Sequence, residues 1–248
     1  MSPDKKMSKR QMMREKRQRQ AKMQRFGMIG IVIVGALLVA VALIYPTLQP
    51  VGDIVKSDPG EHPMANDNAM GDPNAPIRIE EFSDFQCPYC ARFHAQTESQ
   101  LINTYVTDGT VYFVYRSFGN FIGAESQAAA EAAYCAGDQN KFWEYHDILF
   151  ANQTGENVGA FSTRRLQAFA ETLSLDMGAF NSCFNSGKYT DRVQQDKADG
   201  TAAGVTGTPA FVISYTVNGE QKQRLIAGAL PFSEFQTDIE GALAEMGK

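Results

Sequence analysis

A Cys-x-x-Cys pair, Cys87 and Cys90, lies where a short apolar strand passes into a helix. Apolar residues recur from residue 77 to 85, and residues 88–105 carry them at fourfold spacing, which indicates a buried strand followed by an amphipathic helix. Pro88 falls at the first helical position, where its missing N–H costs nothing. Cys87 is therefore predicted to be the N-cap, where free backbone N–H groups and the helix dipole lower the pKa of its thiol. Cys90 should be the shielded, resolving thiol.

A structural role for the two thiols is the alternative to redox chemistry. They would then form a permanent disulfide or half of a zinc site, but a structural zinc site needs four ligands. His94 is the only His near Cys90, and the sequence has no second Cys-x-x-Cys. Because the pair sits at a strand-to-helix junction, we predict a redox centre and no metal site. We expect His94 to be solvated or to cap a helix.

The first 45 residues separate into a basic segment and an apolar one. Residues 1–25 hold 10 of the 23 Lys and Arg residues but only 2 of the 28 acidic ones, which leaves 13 basic and 26 acidic residues, or −13, for the rest. Residues 26–45 carry no charge and are long enough to cross a bilayer. The basic flank should remain in the cytoplasm, with the following domain outside. A signal peptide cleaved near residues 40–42 is the alternative.

The rest of the chain divides into a predicted linker and one domain. Residues 46–74 are rich in proline and small polar residues without an apolar period, which predicts a flexible linker. Residues 75–248 are enough for one domain with a substantial core. The acidic balance of this part argues against a nucleic-acid-binding surface.

Strand and helix patterns follow a definite order in residues 75–248. Strands flank the Cys-x-x-Cys helix, five helical segments follow, and a strand pair with an Asn218-Gly219 turn precedes a last helix. Ser162 and Asp176 are predicted N-caps. The predicted helices are 124–136, 140–151, 162–173, 176–186, 188–203 and 231–246, and the predicted later strands are 110–116, 210–214 and 224–227.

This order resembles the DsbA-like branch of the thioredoxin superfamily over nearly all of residues 75–248. The resemblance rests on EFSDFQCPYC at residues 81–90, KFWEYH at 141–146 and GVTGTP at 204–209. It implies an α/β thioredoxin fold with an all-helical domain inserted at about residues 120–203, preceded by one N-terminal transmembrane helix. The anchored arrangement is similar to that of extracytoplasmic members from Gram-positive bacteria.

The resemblance also implies catalytic roles. Cys87 would exchange disulfides with substrate, and Cys90 would resolve the mixed disulfide. Glu81 matches the buried acidic residue of the family, and a carboxyl whose pKa is raised by desolvation would take the proton of Cys90. Glu80 should be the exposed neighbour, since adjacent strand residues face opposite ways.

Substrate-binding residues are implied in the same way: Thr208, Pro209, Pro88 and Tyr89. In the superfamily the Thr208-Pro209 position has a cis peptide bond, and its backbone lies beside the reactive sulfur and pairs with an extended peptide. A simple turn before a strand is the alternative. Tyr89 departs from the His that the more oxidising members often have, so the strength of the oxidant stays open.

Two further cysteines, Cys135 and Cys183, lie in predicted helices of the insertion. An even number of cysteines in an extracytoplasmic domain predicts a structural disulfide between them. Closing that loop would contribute about 4 kcal/mol in the chain-entropy model. Two buried free thiols are the alternative.

The predicted function is an extracytoplasmic thiol:disulfide oxidoreductase that introduces disulfides into secreted or surface proteins. Expected partners are reduced or unfolded secreted proteins and a quinone-linked membrane protein that reoxidises the dithiol; no cofactor of its own and no nucleic acid are expected. A disulfide reductase or isomerase of the same fold is the nearest alternative. Alternatives from another class are a metal-delivery protein using Cys87, Cys90 and His94, and a chaperone that grips unfolded chains near Pro209.

Overall fold

The protein, seen in a computed structural model that describes residues 9–48, 51–57 and 60–248, divides between residues 50 and 51 into two units. The first contains helix α1 (Lys9–Leu48). Within it, Met12–Tyr45 is the one stretch of the described chain that is long and apolar enough to cross a membrane. Helix α1 exceeds the predicted 26–45 segment because the basic residues 9–25 are helical too. The first eight residues of the predicted basic segment lie outside the described residues.

The second unit is built on a mixed five-stranded sheet in the order β1-β3-β2-β4-β5. Strand β2 runs parallel to β3 and antiparallel to β4, so it lies at the centre of the sheet. A central strand is covered on both faces, and five of the seven β2 residues are buried. The strands are β1 (Ala69–Met70), β2 (Ile77–Ser83), β3 (Val111–Ser117), β4 (Ala210–Val217) and β5 (Glu220–Ala227).

The dithiol helix, residues 88–106, follows β2 after four residues and is interrupted by π-helical turns. It consists of α2 (Pro88–Phe93), a π turn (His94–Glu98), α3 (Ser99–Leu101) and a second π turn (Ile102–Val106). Each π turn widens the helix by one residue, a detail that the fourfold apolar spacing does not predict. The apolar face packs on the sheet, where the rings of Phe93 and Phe211 lie 4.5 Å apart.

Five helices between β3 and β4 form the insertion, and their ends lie within about two residues of the predicted ones. Asp176 caps its helix by accepting hydrogen bonds from the N–H groups of Gly178 and Ala179. Ser162 takes the N-cap position of the preceding helix, but its side chain makes no capping hydrogen bond. The helices are α4 (Ala124–Gly137), α5 (Phe142–Ala151), α6 (Thr163–Thr172), α7 (Met177–Asn185) and α8 (Thr190–Ala202), with α9 (Phe232–Glu245) after the sheet.

A disulfide bond joins Cys135 on α4 to Cys183 on α7, with their Cα atoms 5.8 Å apart. The two residues are 48 positions apart in sequence. In the chain-entropy model, a loop of this size contributes about 4 kcal/mol by restricting the unfolded chain. The bond therefore ties together two helices of the insertion, away from the Cys-x-x-Cys pair.

Strand β1 corrects the predicted start of the domain at residue 75. Ala69 and Met70 pair with β3 and are buried, Met70 completely. The indole N–H of Trp143 donates to the Ala69 carbonyl at 3.2 Å. A two-residue edge strand leaves no periodic pattern in the sequence, so it was not predicted.

Residues 51–57 also differ from a free linker. The side chain of Asn152 accepts a hydrogen bond from the Val55 N–H at 2.9 Å and donates one to the Val55 carbonyl at 2.8 Å. Arg165 donates to the Val51 carbonyl at 2.8 Å. Of the predicted 46–74 linker, residues 46–48 end α1, and residues 49, 50, 58 and 59 lie outside the described residues. The folded unit thus begins earlier than predicted.

We expect a fragment of residues 75–248 to be at least about 2 kcal/mol less stable than one of residues 51–248. Removing β1 deletes the buried Met70 side chain, and truncating a buried Met typically costs about 2–5 kcal/mol. Urea unfolding followed by circular dichroism measures the difference. A fragment starting at residue 60, which keeps β1, is the control and should lose less. Equal stability of the 75–248 and 51–248 fragments would show that residues 51–74 act only as a tether.

Candidate active site

The turn between β2 and α2 positions the Cys-x-x-Cys pair. One carboxylate oxygen of Asp84 accepts a hydrogen bond from the Gln86 N–H at 2.8 Å. The backbone carbonyl of Asp84 accepts one from the Cys87 N–H at 2.9 Å. Its second carboxylate oxygen accepts from the N–H of Ile122, at 3.3 Å. An Asx turn of this kind fixes the exit of the strand. The buried Asp84 therefore sets where Cys87 stands.

Cys87 is the N-cap of α2, and Pro88 follows at the first helical position. Its Sγ donates a hydrogen bond to the Thr208 carbonyl at 3.3 Å. Only 5% of Cys87 is exposed, whereas 56% of Tyr89 is exposed. The Cys87 sulfur is therefore nearly buried, next to the exposed ring of Tyr89.

The two thiols have opposite electrostatic environments. Hydrogen bonds from the Cys90 thiol and from the backbone N–H groups of Cys90 and Tyr89 outweigh burial and lower the pKa of Cys87 to about 6. Burial, and then the hydrogen bond to Cys87, raise the pKa of Cys90 well above its ordinary value. At neutral pH the arrangement holds a thiolate at Cys87 and a thiol at Cys90.

Glu81 lies inside the domain, on β2, between Tyr115 of β3 and Phe211 of β4. Only 1% of it is exposed, and Oε2 has no hydrogen-bond partner. Burial, and next the nearby Glu98 carboxylate, raise the pKa of Glu81 to about 8. The negative charge of Glu81 in turn is among the causes that raise the pKa of Cys90. At neutral pH the Glu81 carboxyl is therefore mostly protonated, and its charge is coupled to the titration of Cys90.

Glu80 takes the other side of the strand and bonds to Arg116 at 3.1 Å and Arg78 at 3.1 Å. It is half-buried by this ion pairing rather than freely exposed as predicted.

The loop before β4 carries Thr208 and Pro209, which are joined by a cis peptide bond. A cavity of about 330 Å³ opens between residues 204–210 and the end of β5. Leu225 lines it and is 46% exposed. The carbonyl of Thr208, beside Cys87 Sγ, and this open cavity together offer a place for an extended chain.

His94 differs from the predicted solvated or capping residue. Its Nδ1 lies 2.5 Å from an oxygen of Glu98, and its ring stacks on Phe150 with centroids 5.0 Å apart. The ring of His146 lies 5.1 Å away, edge to face. No local pattern predicts this cluster, because His146 lies on α5, far from His94 in the chain.

The comparisons with known proteins agree with this geometry. A family model described as thioredoxin matches residues 64–230. The sequence is 33% identical over 150 residues to the Na(+)/H(+) antiporter NhaA 1 of Salinispora arenicola, covering 60% of this chain and 22% of the antiporter. It is 27% identical over 193 residues to the probable disulfide bond formation protein D of Bacillus anthracis, covering 75% of this chain and 86% of that protein.

The chain spans about a fifth of the length of the antiporters that it matches. Among solved structures, alpha-DsbA1 of Wolbachia pipientis superimposes with a TM-score of 0.63 at 23% identity, covering 75% of this chain and 94% of that one. At this level of identity, the likeness concerns the fold alone.

We expect alkylation of Cys87 by iodoacetamide to rise with pH around a midpoint near 6, because the thiolate is the reacting form and the pKa is lowered to about 6. An ordinary Cys has a pKa of about 8.5. The measurement is the alkylation rate of the reduced protein between pH 4 and 9. A Cys87→Ala variant, which keeps Cys90, is the control and should react very slowly throughout. A midpoint above pH 8 in the native protein would contradict the assignment.

We expect Glu81→Gln to remove part of the pH dependence of stability. The folded-state pKa of Glu81 is about 8 and its ordinary value 4.5, so the folded protein holds an extra proton between them. Stability therefore falls as pH rises from about 4.5 to 8, by several kcal/mol at most, since one pKa unit corresponds to about 1.4 kcal/mol.

Urea unfolding of the oxidised protein between pH 4 and 9 measures this effect without titration of the two thiols. The native protein should lose more stability than Glu81→Gln over this range. Glu80→Gln is the matched control on the same strand. Its free energy of unfolding should change with pH as steeply as that of the native protein. Parallel curves for native protein and Glu81→Gln would rule out a raised pKa at this carboxyl.

Proposed function

The chain belongs to the thioredoxin family, and from this premise we propose that it is a thiol:disulfide oxidoreductase that introduces disulfide bonds into secreted or surface proteins. Cys87 carries this proposal. Its sulfur caps the N-terminus of α2, has a pKa lowered to about 6, and lies 3.3 Å from the Thr208 carbonyl. A low-pKa sulfur is a good leaving group, which is what disulfide donation to a substrate thiol requires.

The reaction begins with the Cys87–Cys90 disulfide. A substrate thiolate attacks Cys87 Sγ, a mixed disulfide forms, and the Cys90 thiolate leaves. A second substrate thiolate then attacks the substrate sulfur of the mixed disulfide and expels the Cys87 thiolate. Two electrons pass to the enzyme dithiol, and the substrate gains one disulfide. The lowered pKa of Cys87 favours this last departure, since a thiol of lower pKa leaves faster.

Glu81 supplies the proton that the first step needs. The Cys90 thiolate forms in a buried place where its charge is destabilised, so its pKa is raised. Glu81, with a pKa of about 8, is protonated at neutral pH and gives its proton to Cys90. In reoxidation of the dithiol the same carboxyl takes the proton back.

The substrate is held by the loop of Thr208 and Pro209, with Pro88 and Tyr89 on the other side of the sulfur. The exposed ring of Tyr89 is 4.9 Å from the Arg92 guanidinium carbon, and this contact holds the ring beside the entry to Cys87. The cavity along residues 204–210 is open to solvent and accommodates a peptide in extended form.

We place the catalytic unit outside the cytoplasm and tethered by α1, with residues 26–45 in the bilayer and the basic flank inside. The apolar stretch Met12–Tyr45 and the positive-inside rule support this topology. A membrane protein that passes electrons onward would reoxidise the dithiol, since each cycle leaves Cys87 and Cys90 reduced.

The nearest rival is a reductase or isomerase of the same fold, which differs in reduction potential. Metal delivery through Cys87, Cys90 and His94 is not favoured, since the ligand atoms that come together around His94 in the described chain belong to Glu98 and His146 and to neither cysteine. A chaperone that grips chains near Pro209 would keep its activity without either thiol.

We expect the Cys87/Cys90 pair of the 51–248 fragment to have a reduction potential near the oxidising end of the superfamily, about −120 mV. The low pKa of Cys87 stabilises the reduced form and so makes the disulfide a stronger oxidant. Equilibration with glutathione buffers measures the potential. A value near about −270 mV would instead assign the protein to the reductants.

Refolding of a reduced, unfolded substrate tests the activity itself. Cys87→Ala and Cys90→Ala should each abolish disulfide formation, because neither variant can form the Cys87–Cys90 disulfide with which the reaction begins. The double variant Cys135→Ala/Cys183→Ala is the control; it should keep the exchange activity, measured well below its lowered melting temperature. Undiminished disulfide exchange by Cys87→Ala would contradict the proposal. Protection of the unfolded substrate from aggregation by a variant that lacks both thiols would indicate the chaperone instead.

A further inference from the structure

All three histidines of the chain, His62, His94 and His146, meet at one place beside the dithiol helix. A cavity of about 140 Å³ is lined by His62 and His94 together with Glu98 and Asp147. His146 lies behind His94, fully buried. The reaction described above uses none of these side chains, so their convergence needs its own explanation.

Three of these side chains offer ligand atoms to a common point. One nitrogen of His94, one nitrogen of His146 and one oxygen of Glu98 all lie within 4.8 Å of one another. Ligand atoms on a tetrahedral zinc ion, with bonds of about 2.0–2.2 Å, are roughly 3–3.5 Å apart. Small side-chain rotations therefore suffice to bring the three atoms into one coordination sphere.

His146 is held in the orientation that a metal ligand needs. Its Nδ1 lies 3.0 Å from an oxygen of Asp147, and the other Asp147 oxygen lies 3.2 Å from Nε2 of His62. A ring that donates Nδ1–H to a carboxylate presents the lone pair of Nε2 outward. Carboxylate–histidine pairs of this kind commonly orient metal ligands and raise their basicity.

Nε2 of His146 lacks a hydrogen-bond partner. It is buried, and the residue as a whole is 0% exposed. An unpaired buried polar atom costs about 1–3 kcal/mol. Rings of Phe85, Tyr115 and Phe150 lie edge to face against the imidazole, with centroids 5.7, 5.4 and 4.9 Å away. A bound cation at Nε2 would remove this penalty.

The donor set identifies the class of ion. Two imidazole nitrogens and one carboxylate oxygen suit zinc and its neighbours in the first transition row, whereas calcium and magnesium prefer all-oxygen sites. Three protein ligands leave a fourth position for water or an incoming ligand. His94 and Glu98 line the cavity, which offers an entry path.

We propose that His94, Glu98 and His146 form a binding site for one divalent transition-metal ion, with Zn²⁺ as the expected ion. Asp147 positions His146 by accepting a hydrogen bond from its Nδ1, and His62 holds the other oxygen of Asp147. Cys87 and Cys90 are not ligands. The site therefore binds metal whether the dithiol is oxidised or reduced, and it does not depend on the proposed oxidoreductase activity.

The test is a Zn²⁺ titration of the full chain in detergent, freed of metal by a chelator and fully oxidised so that no cysteine thiolate is present. Competition with a chromophoric chelator gives stoichiometry and Kd. We expect one equivalent per chain. Loss of a residue that only orients a metal ligand typically lowers metal affinity by about 10–100-fold. Glu98→Gln removes a ligand itself, so it should lower the affinity for Zn²⁺ by at least about 100-fold.

Glu144→Gln is the matched control, because Glu144 lies on the same helix as His146 but pairs with Lys141 at 2.7 Å. It should bind Zn²⁺ like the native chain. His94→Asn is the second ligand variant and should also weaken binding if Glu98→Gln does not fold; circular dichroism checks each variant. Titration with Co²⁺ should give the visible absorption of a four-coordinate ion in the native chain and lose it in both ligand variants.

Several outcomes overturn the site. Absence of stoichiometric binding by the oxidised chain means that His94 and Glu98 form only a structural ion pair. Binding that appears only after reduction assigns the metal to Cys87 and Cys90. Equal affinity in the native chain and in both folded ligand variants places the ion elsewhere.

Discussion

The position of Cys87 at the end of the central strand is the constraint on which the rest of the site depends. Strand β4 runs antiparallel to β2 with Phe82 opposite Ala210, so β4 begins where β2 ends. The residues just before β4, Thr208 and Pro209, must then lie beside the residues just after β2. The 3.3 Å contact between Cys87 Sγ and the Thr208 carbonyl follows from this register. A one-residue slip would also turn every β2 side chain to the other face.

The difference between the two thiols arises from one turn of helix. A sulfur at the N-cap faces backbone N–H groups that have no partner within the helix, whereas a sulfur one turn later faces the core. The pKa of Cys87 is accordingly lowered and that of Cys90 raised. Cys87 is therefore the better leaving group of the pair, since a thiol of lower pKa leaves faster. The insertion, braced by the Cys135–Cys183 disulfide, covers the site without supplying either reacting sulfur.

Local patterns in the sequence predicted the order of strands and helices and the two termini of the dithiol helix, because proline, alternation and fourfold spacing act over a few residues. The pairing of β1 with β3 and the hydrogen bonds of Asn152 to Val55 were missed, since each joins segments far apart in the chain. His94 was misjudged for the same reason: its neighbours Phe150 and His146 belong to α5. Local sequence patterns therefore predict secondary structure, whereas the burial of a polar side chain depends on segments that are distant in the chain.

Electrostatic coupling joins the histidine cluster to the dithiol. The charge of Glu98 raises the pKa of Glu81, and the charge of Glu81 raises the pKa of Cys90. His94, paired with Glu98, acts on Glu81 in the opposite direction and lowers its pKa. The three acidic groups therefore form a series that runs from the cavity on one side of the dithiol helix to the buried sulfur. In a low-dielectric interior such couplings are weakly screened, so the charge state of the His94–Glu98 pair is felt at Glu81.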